Sequence, residues 1–514
     1  MNIAMTGVSG NMGAEALREV LTLAYVQRVR ILLTKKKRNE TLCRQLKKQY
    51  GNRLEAVFGD IADSAACAQL VEGADYVIHM AAVIPPRSDA DPKASERCNY
   101  LGTMTLVDAV KAMPRQAKFI HTSTMALYGC RDEKHPFARV GDPLVISPFD
   151  LYSLHKLWGE RYVLEAGLEH FAVLRQTAML HMKMLRGNMS DGLMFHTNLN
   201  SPLEWVSARD SGILIRRIVE RDSAGEIDAF WNKVYNMGGG LRGRQTGYDT
   251  FRVGFSVMGG NTESFFRPSW LASRNFHGVW LADSDVLENL FGYQHDGVEE
   301  VWKEIGKRHR AYRLAACVPP ALISGTFFRR LLAHSNSPMR WRQDNDRARM
   351  FAFYGSEDAF RSIPSEWKDV KLMAKGDFGD YDALRDEKRA AAEGKLLSHG
   401  FDDRKPPEEW TAKDCAQAAK FRGGSFDEAS FAGAYAAAQW KCHDGHVFTA
   451  TPYTVMGAGH WCDQCAPRPW DFDRQAKHNP FYAQVWYDTH AHDENVRYDI
   501  DENGRAIMEN TEEV

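Results

Sequence analysis

TGVSGNMG, from Thr6 to Gly13, is the stretch whose reading decides the fold: its glycines, Gly7, Gly10 and Gly13, recur at every third position. Asn2 to Met5 (NIAM) before it reads as a short buried strand, and AEALREVL after it as an amphipathic helix. Strand, glycine turn and helix in that order have a physical purpose. Gly7 permits the tight turn off the strand, Gly10 lets backbone approach a pyrophosphate, and Gly13 lets the helix pack against the sheet. The free N–H groups at the helix start then face the phosphates.

Apolar runs continue from this unit: VRILLT (Val29–Thr34), LEAVFGD (Leu54–Asp60), ADYVIHMAA (Ala74–Ala82), KFIHTST (Lys118–Thr124) and FAVLRQTAM (Phe171–Met179). Helical patterns separate them. Nearly continuous apolar strands alternating with helices predict an α/β protein, a doubly wound parallel sheet covered on both faces. From Met182 to about Arg313 the pattern loosens, which predicts a smaller substrate lobe and a first domain over 1–313. Residues 314–409 are charge-dense (DNDRARM, RDEKRAAAEGK) and read as an exposed, mostly helical connector, leaving 410–514 as a third unit.

Two features give the glycine turn a chemistry. In Tyr152-Ser-Leu-His-Lys156 the i,i+4 spacing puts a phenol and an ammonium on one face of a helix. In HTSTMALYG, Thr124 ends a strand where the sheet's C-terminal edge faces a bound cofactor, with Ser123 as the neighbouring alternative. A phenol ordinarily titrates near 10, so acting as a base around pH 7 requires a nearby cation, which Lys156 supplies.

With these residues in hand, the first ~310 residues resemble the extended short-chain dehydrogenase/reductases, in the sugar-epimerase, dehydratase and 3β-hydroxysteroid dehydrogenase neighbourhood. TGVSGNMG, GDIAD, HMAA, NYLGT, TSTMALYG and YSLHK carry the resemblance. It implies a Rossmann fold, with Tyr152 as general acid/base, Lys156 as the nicotinamide-ribose ligand that lowers the tyrosine pKa, and Thr124 as hydrogen-bond donor to the reacting oxygen. It also implies cofactor contacts from Gly7, Ser9, Gly10, Asn11, Met12 and Gly13, from Asp60 and Ile61 at the adenine, and from Ala81 and Ala82 along the cleft. Asn99 matches a family asparagine of structural role.

The second strand ends in Thr34-Lys-Lys-Lys-Arg38 with no carboxylate before Glu40. Four cations suit a 2′-phosphate, so Thr34, Lys35 and Arg38 point to NADP, with NAD as the alternative. LRQTAMLHMKMLRGNM lacks the asparagine and the Gly-Pro of sugar-nucleotide members. Its methionines (Met179, Met182, Met184, Met189, with Met194 beyond) suit an adaptable apolar pocket. The favoured reading is therefore an oxidoreductase acting on an apolar ketone or alcohol. A sugar-nucleotide epimerase or dehydratase with tightly held NAD stands as one alternative, and a non-catalytic NADP-sensing regulator as another.

The C-terminal WKCHDGHVFTATPYTVMGAGHWCDQC holds Cys442-x3-His446 and Cys462-x2-Cys465. Three thiolates and an imidazole form a closed tetrahedral zinc set, and the segment resembles treble-clef or ribbon-type zinc modules. His460 and His443 are alternatives to His446, and a Cys462–Cys465 redox pair is a competing reading. His490-x-His492-x-Glu494 reads as a polar surface segment. Four protein ligands leave no open metal position, so the expected role is structural, serving a homodimer or protein partner.

Bulk properties narrow the class. The chain has 514 residues, 65 basic and 67 acidic, with a net charge of −2, which argues against nucleic acid and a membrane surface as partners. Its nine cysteines are an odd number, and a strand beginning at residue 2 leaves no room for a secretory leader. The expectation is a cytoplasmic enzyme with a small-molecule substrate.

Overall fold

In the computed structural model, which describes residues 1–187, 191–465 and 468–511, the predicted strands form one parallel sheet. Its strands are β1 (Asn2–Thr6), β2 (Arg28–Leu33), β3 (Leu54–Phe58), β4 (Tyr76–His79), β5 (Lys118–Thr124), β6 (Phe171–Gln176) and β7 (Lys233–Met237). They run in the order β7-β6-β5-β4-β1-β2-β3, every neighbouring pair parallel. The order reverses between β1 and β4, where Thr6 lies opposite His79, so a crevice opens at the carboxyl ends of these strands.

Helices cover both faces: α1 (Asn11–Val20), α2 (Lys37–Tyr50) and the later α6 (Ala208–Ser223) on one side, and α3 (Ser64–Val71), α4 (Gly102–Lys111) and α5 (Leu151–Glu165) on the other. The strands feed both cores by alternation. Ile3, Met5, Val29 and Ile31 pack toward α1 and α6, whereas Ala4, Leu32, Val77 and Phe119 pack toward α3 to α5. This is the Rossmann architecture that the apolar runs predict.

α5 carries little apolar periodicity, yet Leu154, His155, Lys156, Leu157, Glu160 and Val163 are all buried on it. It can be buried because its polar groups find partners within the protein. Asp150 caps its start by accepting from the Ser153 N–H at 2.9 Å, His155 Nδ1 meets Ser95 Oγ at 3.0 Å, and Glu160 pairs with Arg175 of β6 at 2.5 Å.

The irregular stretch after β6 builds the smaller lobe. Its strands Ala178–Leu180, Pro202–Ser207 and Arg244–Thr246 form a three-stranded sheet, and Phe195, Phe255, Phe265, Phe266 and Phe328 make a separate core. The segment read as an exposed connector instead inserts apolar side chains among its charges. Phe328 and Leu331 join the lobe core, and Trp341, Ala352, Phe353 and Tyr354 enter the main one. Its charges hid these side chains because they fall singly in short helices that never show a full amphipathic period.

The C-terminal part holds a small antiparallel sheet (Ser425–Phe426, Ala438–Lys441, Val447–Ala450), helices Phe472–His478 and Pro480–Thr489, and a hairpin of Val496–Ile500 with Ala506–Asn510. Trp440, Val455, Trp461 and Phe481 share one hydrophobic cluster with Val163 and Val234, so this part packs directly on α5 and the end of the sheet. The His490–Glu494 segment is a polar surface segment only in its middle, where Ala491, His492 and Asp493 are exposed, while its two ends belong to this packing. His490 is buried against Trp486 and Asn275, and Glu494 holds Arg274 through two bonds of 2.6 and 2.8 Å. No described helix is long and apolar enough to cross a membrane.

Removing one member of a buried ion pair strands the other charge. Arg175→Met is therefore expected to cost about 3–5 kcal/mol of stability, read by urea denaturation; a loss below about 1 kcal/mol would show that Glu160 is held by its other partners.

Candidate functional site

Each glycine of the opening turn is constrained differently. Gly7 has φ +76°, and a Cβ there would lie 2.6 Å from the backbone of Met80; a Cβ on Gly13 would lie 2.3 Å from the Gly7 carbonyl oxygen. Both positions thus exclude a side chain. Gly10 has room, since only the Gly7 oxygen, at 3.2 Å, lies within 4 Å of its Cβ position. Gly10 also starts α1 without any side-chain cap, leaving the first-turn N–H groups to an outside acceptor. An anion of pyrophosphate type fits this cradle.

The remaining predicted cofactor residues divide into those that reach the crevice and those that support it. Ser9 is exposed, Asn11, Ala81 and Ala82 are at least partly accessible, and Met12 and Ile61 bury their side chains in the two sheet cores, so only their backbones face outward. Thr6 Oγ1 accepts from the N–H groups of Met80 and Ala81, both at 3.1 Å, which fixes the loop after β4. Asp60 accepts from the Ala62 N–H at 2.9 Å and pairs with Arg97 at 2.9 Å, so its carboxylate caps a turn and holds an arginine. Asn99 clamps Val83 through its N–H and carbonyl, each at 2.8 Å, a structural role. Thr34 receives the Asn39 amide at 2.8 Å, whereas Lys35, Lys36, Lys37 and Arg38 are exposed. Among the described residues none of these four cations has a carboxylate within ion-pair distance.

The structure brings Tyr152 near Thr124, whose Oγ1 accepts from the Ala126 N–H at 3.2 Å. Burial pushes the Tyr152 phenol up to about 12, the nearby Thr124 hydroxyl opposes the rise, and Asp150 adds to it. Lys156 lies one turn away, but its ammonium donates to the Thr122 carbonyl at 2.6 Å and lies 3.3 Å from His121 Nε2. A buried ammonium requires acceptors, and the end of β5 supplies them. Burial lowers Lys156 from 10.5 to about 8, while Cys98 and Glu160 oppose the fall. Under it, the His121 and His79 rings lie 5.2 Å apart, tilted at 42°, and burial, reinforced by Lys156, holds both imidazoles neutral. Ser123, the alternative to Thr124, gives its hydroxyl to Glu160 at 2.5 Å and faces away from this arrangement.

Two connected chambers of about 600 and 210 Å³ open beside these residues, sharing Pro85, Pro86, Asp191, Leu193, Phe276 and His277. Met125, the residue after Thr124, lines the smaller one together with Leu203, Trp205 and Phe251. Asp150, two residues before Tyr152, lines the larger, where its carboxylate meets His277 Nδ1 at 3.2 Å. Trp341, Arg349 and Phe353, from the segment after the smaller lobe, close the far wall. Of the methionines expected to form an apolar pocket, Met194 lines the smaller chamber; Met179, Met182 and Met184 pack in apolar clusters elsewhere, and Met189 lies outside the described residues. The local sequence was a poor guide because the walls come from segments far apart in the chain. His277 and Arg349 carry no motif, and only Asp150 had a readable signal, as an N-cap before a helix.

At the C-terminus the ligand atoms of Cys442, His446, Cys462 and Cys465 all lie within 4.8 Å of one another. Cys442 and Cys465 sulfurs are 3.4 Å apart, and His446 Nδ1 is 3.3 Å from Cys465 and 3.8 Å from Cys462. Metal–sulfur bonds of about 2.3 Å in a tetrahedron put neighbouring sulfurs about 3.8 Å apart, so the set fits a tetrahedral ion. The first pair is shaped by a tight turn, with Cys442 N–H to the His446 carbonyl at 3.0 Å and Gly445 at φ +82°. The alternative histidines are engaged elsewhere: His460 binds Glu160 at 3.1 Å and His443 stacks on His478.

The comparisons with known proteins agree with this geometry. Residues 3–180 match the NAD dependent epimerase/dehydratase family. They carry that family's fold. Over 159 residues the chain is 30% identical to a dTDP-glucose 4,6-dehydratase of Mycolicibacterium smegmatis, covering 30% of this chain and 46% of that protein. Over 120 residues it is 30% identical to the human 3 beta-hydroxysteroid dehydrogenase type 7, covering 22% and 31%. The chain thus spans less than half the length of the curated relatives it matches. Among solved structures, a double mutant of a dTDP-glucose 4,6-dehydratase from Streptomyces venezuelae with NAD bound is 23% identical, covers 60% of this chain and 97% of its own, and has a TM-score of 0.49.

Lys156 generates a pH prediction. Below about pH 8 it is protonated whether the chain is folded or unfolded; between about 8 and 10.5 the unfolded chain binds the extra proton, so stability rises with pH in that window. Lys156→Met removes this dependence. The variant's stability relative to the parent protein is expected to be highest below pH 8 and to decline toward pH 10.5, as read by denaturation at a series of pH values.

Proposed function

We propose that the chain is an enzyme that uses a nicotinamide dinucleotide to interconvert a hydroxyl and a carbonyl on a small-molecule substrate. The observation that carries this reading is the meeting of Tyr152 and Thr124 at the sheet's carboxyl edge, beside a helix start that no side chain caps. In this reading Tyr152 moves the proton at the substrate oxygen, Thr124 orients the phenol and that oxygen, and Lys156, one turn further along α5, holds the nicotinamide ribose. Gly7, Gly10, Gly13 and the first turn of α1 hold the pyrophosphate, and the bound dinucleotide supplies the hydride acceptor or donor. The exposed Lys35–Arg38 run supports NADP, and the names of the solved neighbours support NAD.

The chambers revise the substrate class. Asp150, Asp191, His277 and Arg349 sit among aromatic walls, a mixture that suits a hydroxylated substrate with polar groups better than a purely apolar ketone. This favours, as the second reading, a sugar-nucleotide dehydratase or epimerase with retained NAD, in line with the dehydratase relative. The C-terminal cluster is proposed to hold a structural zinc ion through Cys442, His446, Cys462 and Cys465.

Denaturing the purified protein and assaying the released nucleotide separates the two readings: retained NAD supports the dehydratase or epimerase, and an empty protein that binds added NADPH or NADH supports net oxidoreduction. In either case Tyr152→Phe is expected to lower turnover at least about 10²-fold with nucleotide affinity unchanged; retained turnover would remove the mechanism. Metal analysis is expected to find about one zinc per chain, lost in Cys462→Ser, and a stable metal-free parent protein would remove the zinc assignment.

A further inference from the structure

Between the two sites runs a chain of buried contacts that neither function requires. The segment leading into Cys462 lies against α5. Arg175 of β6 donates to the Ala458 carbonyl at 2.6 Å, His460 Nε2 meets Glu160 Oε1 at 3.1 Å, and Arg161 of α5 donates to the Trp461 carbonyl at 2.8 Å. Three successive points of this segment are therefore tied to α5 and its partner strand. Glu160 then takes the Ser123 hydroxyl at 2.5 Å, one residue before Thr124, and Arg175 donates to Tyr128 at 2.9 Å just beyond it. Glu160, Arg175, Ser123, Tyr128 and His460 are all buried. Close packing forbids an alternative course: a Cβ on Gly459 would lie 2.1 Å from the Asp142 carbonyl oxygen.

We infer that the Cys/His cluster is a positioning site for the catalytic helix: a metal ion that fixes Cys462 and Cys465 also fixes the Ala458–Trp461 segment, and through Glu160 and Arg161 it sets α5 and the strand end that carries Thr124. This rests on the zinc reading above and adds to it a role in assembling the other site. The physical basis is that an i,i+4 repeat along α5 joins Lys156 to Glu160 and Tyr152 to Lys156, so a rotation of the helix at its middle reaches the phenol about two turns away. Besides these bonds to α5, the segment is held at its near end by the packed turn before it, through Ala458 N–H to the Tyr453 carbonyl at 2.8 Å and His460 N–H to the Thr454 carbonyl at 3.1 Å, and at its far end by the ligand pair. Release of the ligands leaves the three bonds to α5 on a chain held from one side, and local opening follows.

The experiment uses the whole protein. Zinc content is measured first, then backbone hydrogen exchange is compared for zinc-loaded protein, protein stripped with a chelator, and zinc-loaded Glu160→Gln. Stripping is expected to speed exchange about tenfold in Lys118–Tyr128 and Leu151–Glu165 as well as in the cluster itself, while β2 and β3 at the opposite edge of the sheet stay unchanged. Glu160→Gln with its zinc retained is expected to reproduce the effect on α5 and β5 alone. Faster exchange confined to residues 438–465 in a protein shown to have carried zinc overturns the positioning role and leaves the zinc reading intact; a protein that never held zinc overturns both. If stripping also loosens β2 and β3, the metal supports the fold as a whole and the inference is overturned.

Discussion

The buried pair of Glu160 and Arg175 is the interaction on which the arrangement of this protein depends. Each side chain is fully buried, and each would be costly there alone. Burial works against the charge on Glu160, but Arg175 and the His460 hydrogen bond hold its carboxyl well below the usual carboxylate range. With both charges satisfied, a helix of little amphipathic character can lie between the sheet and the C-terminal part. The pair therefore explains why α5 can carry polar chemistry on both sides. One side meets the end of β5 with Thr124, and the other meets the segment that leads to the thiols.

Around that pair the molecule separates tasks by element. Backbone geometry serves the phosphate cradle, where Gly7 and Gly13 are dictated by contact and Gly10 by the space left open. Side chains on α5 and β5 carry the groups proposed to move the proton. Long-range insertions serve the chambers. Neutral His79 and His121 beneath Lys156 allow an ammonium to remain in a closed interior, since two further charges there would repel it.

The sheet was legible because it rests on local rules. Continuous apolar strands and a glycine turn leading into a helix are each written within a few residues, and KVYNMGGG reads as strand-like even inside the looser stretch, whereas the order in which the seven strands pair is a tertiary fact. The convergence of Cys442, His446, Cys462 and Cys465 was likewise written in spacing. What spacing could not convey was the environment of each group. Lys156 shares a helical face with Tyr152, yet its amine answers to the carbonyl of Thr122, because a desolvated ammonium follows acceptors and not periodicity. Trp341 and Phe353 stood among charges that looked solvent-facing, and His490 looked like surface until Trp486 and Asn275 enclosed it. These are tertiary facts, fixed by segments that meet only after folding.

The larger chamber has its own consequence. Its inner wall belongs to the residues beside Tyr152, and its outer wall, with Trp341, Arg349 and Phe353, to a segment that contributes no strand to the seven-stranded sheet. The two walls are thus physically separable: a change of side chain at Trp341, Arg349 or Phe353 redraws the outer contour of the chamber without touching any strand of the sheet that carries Thr124.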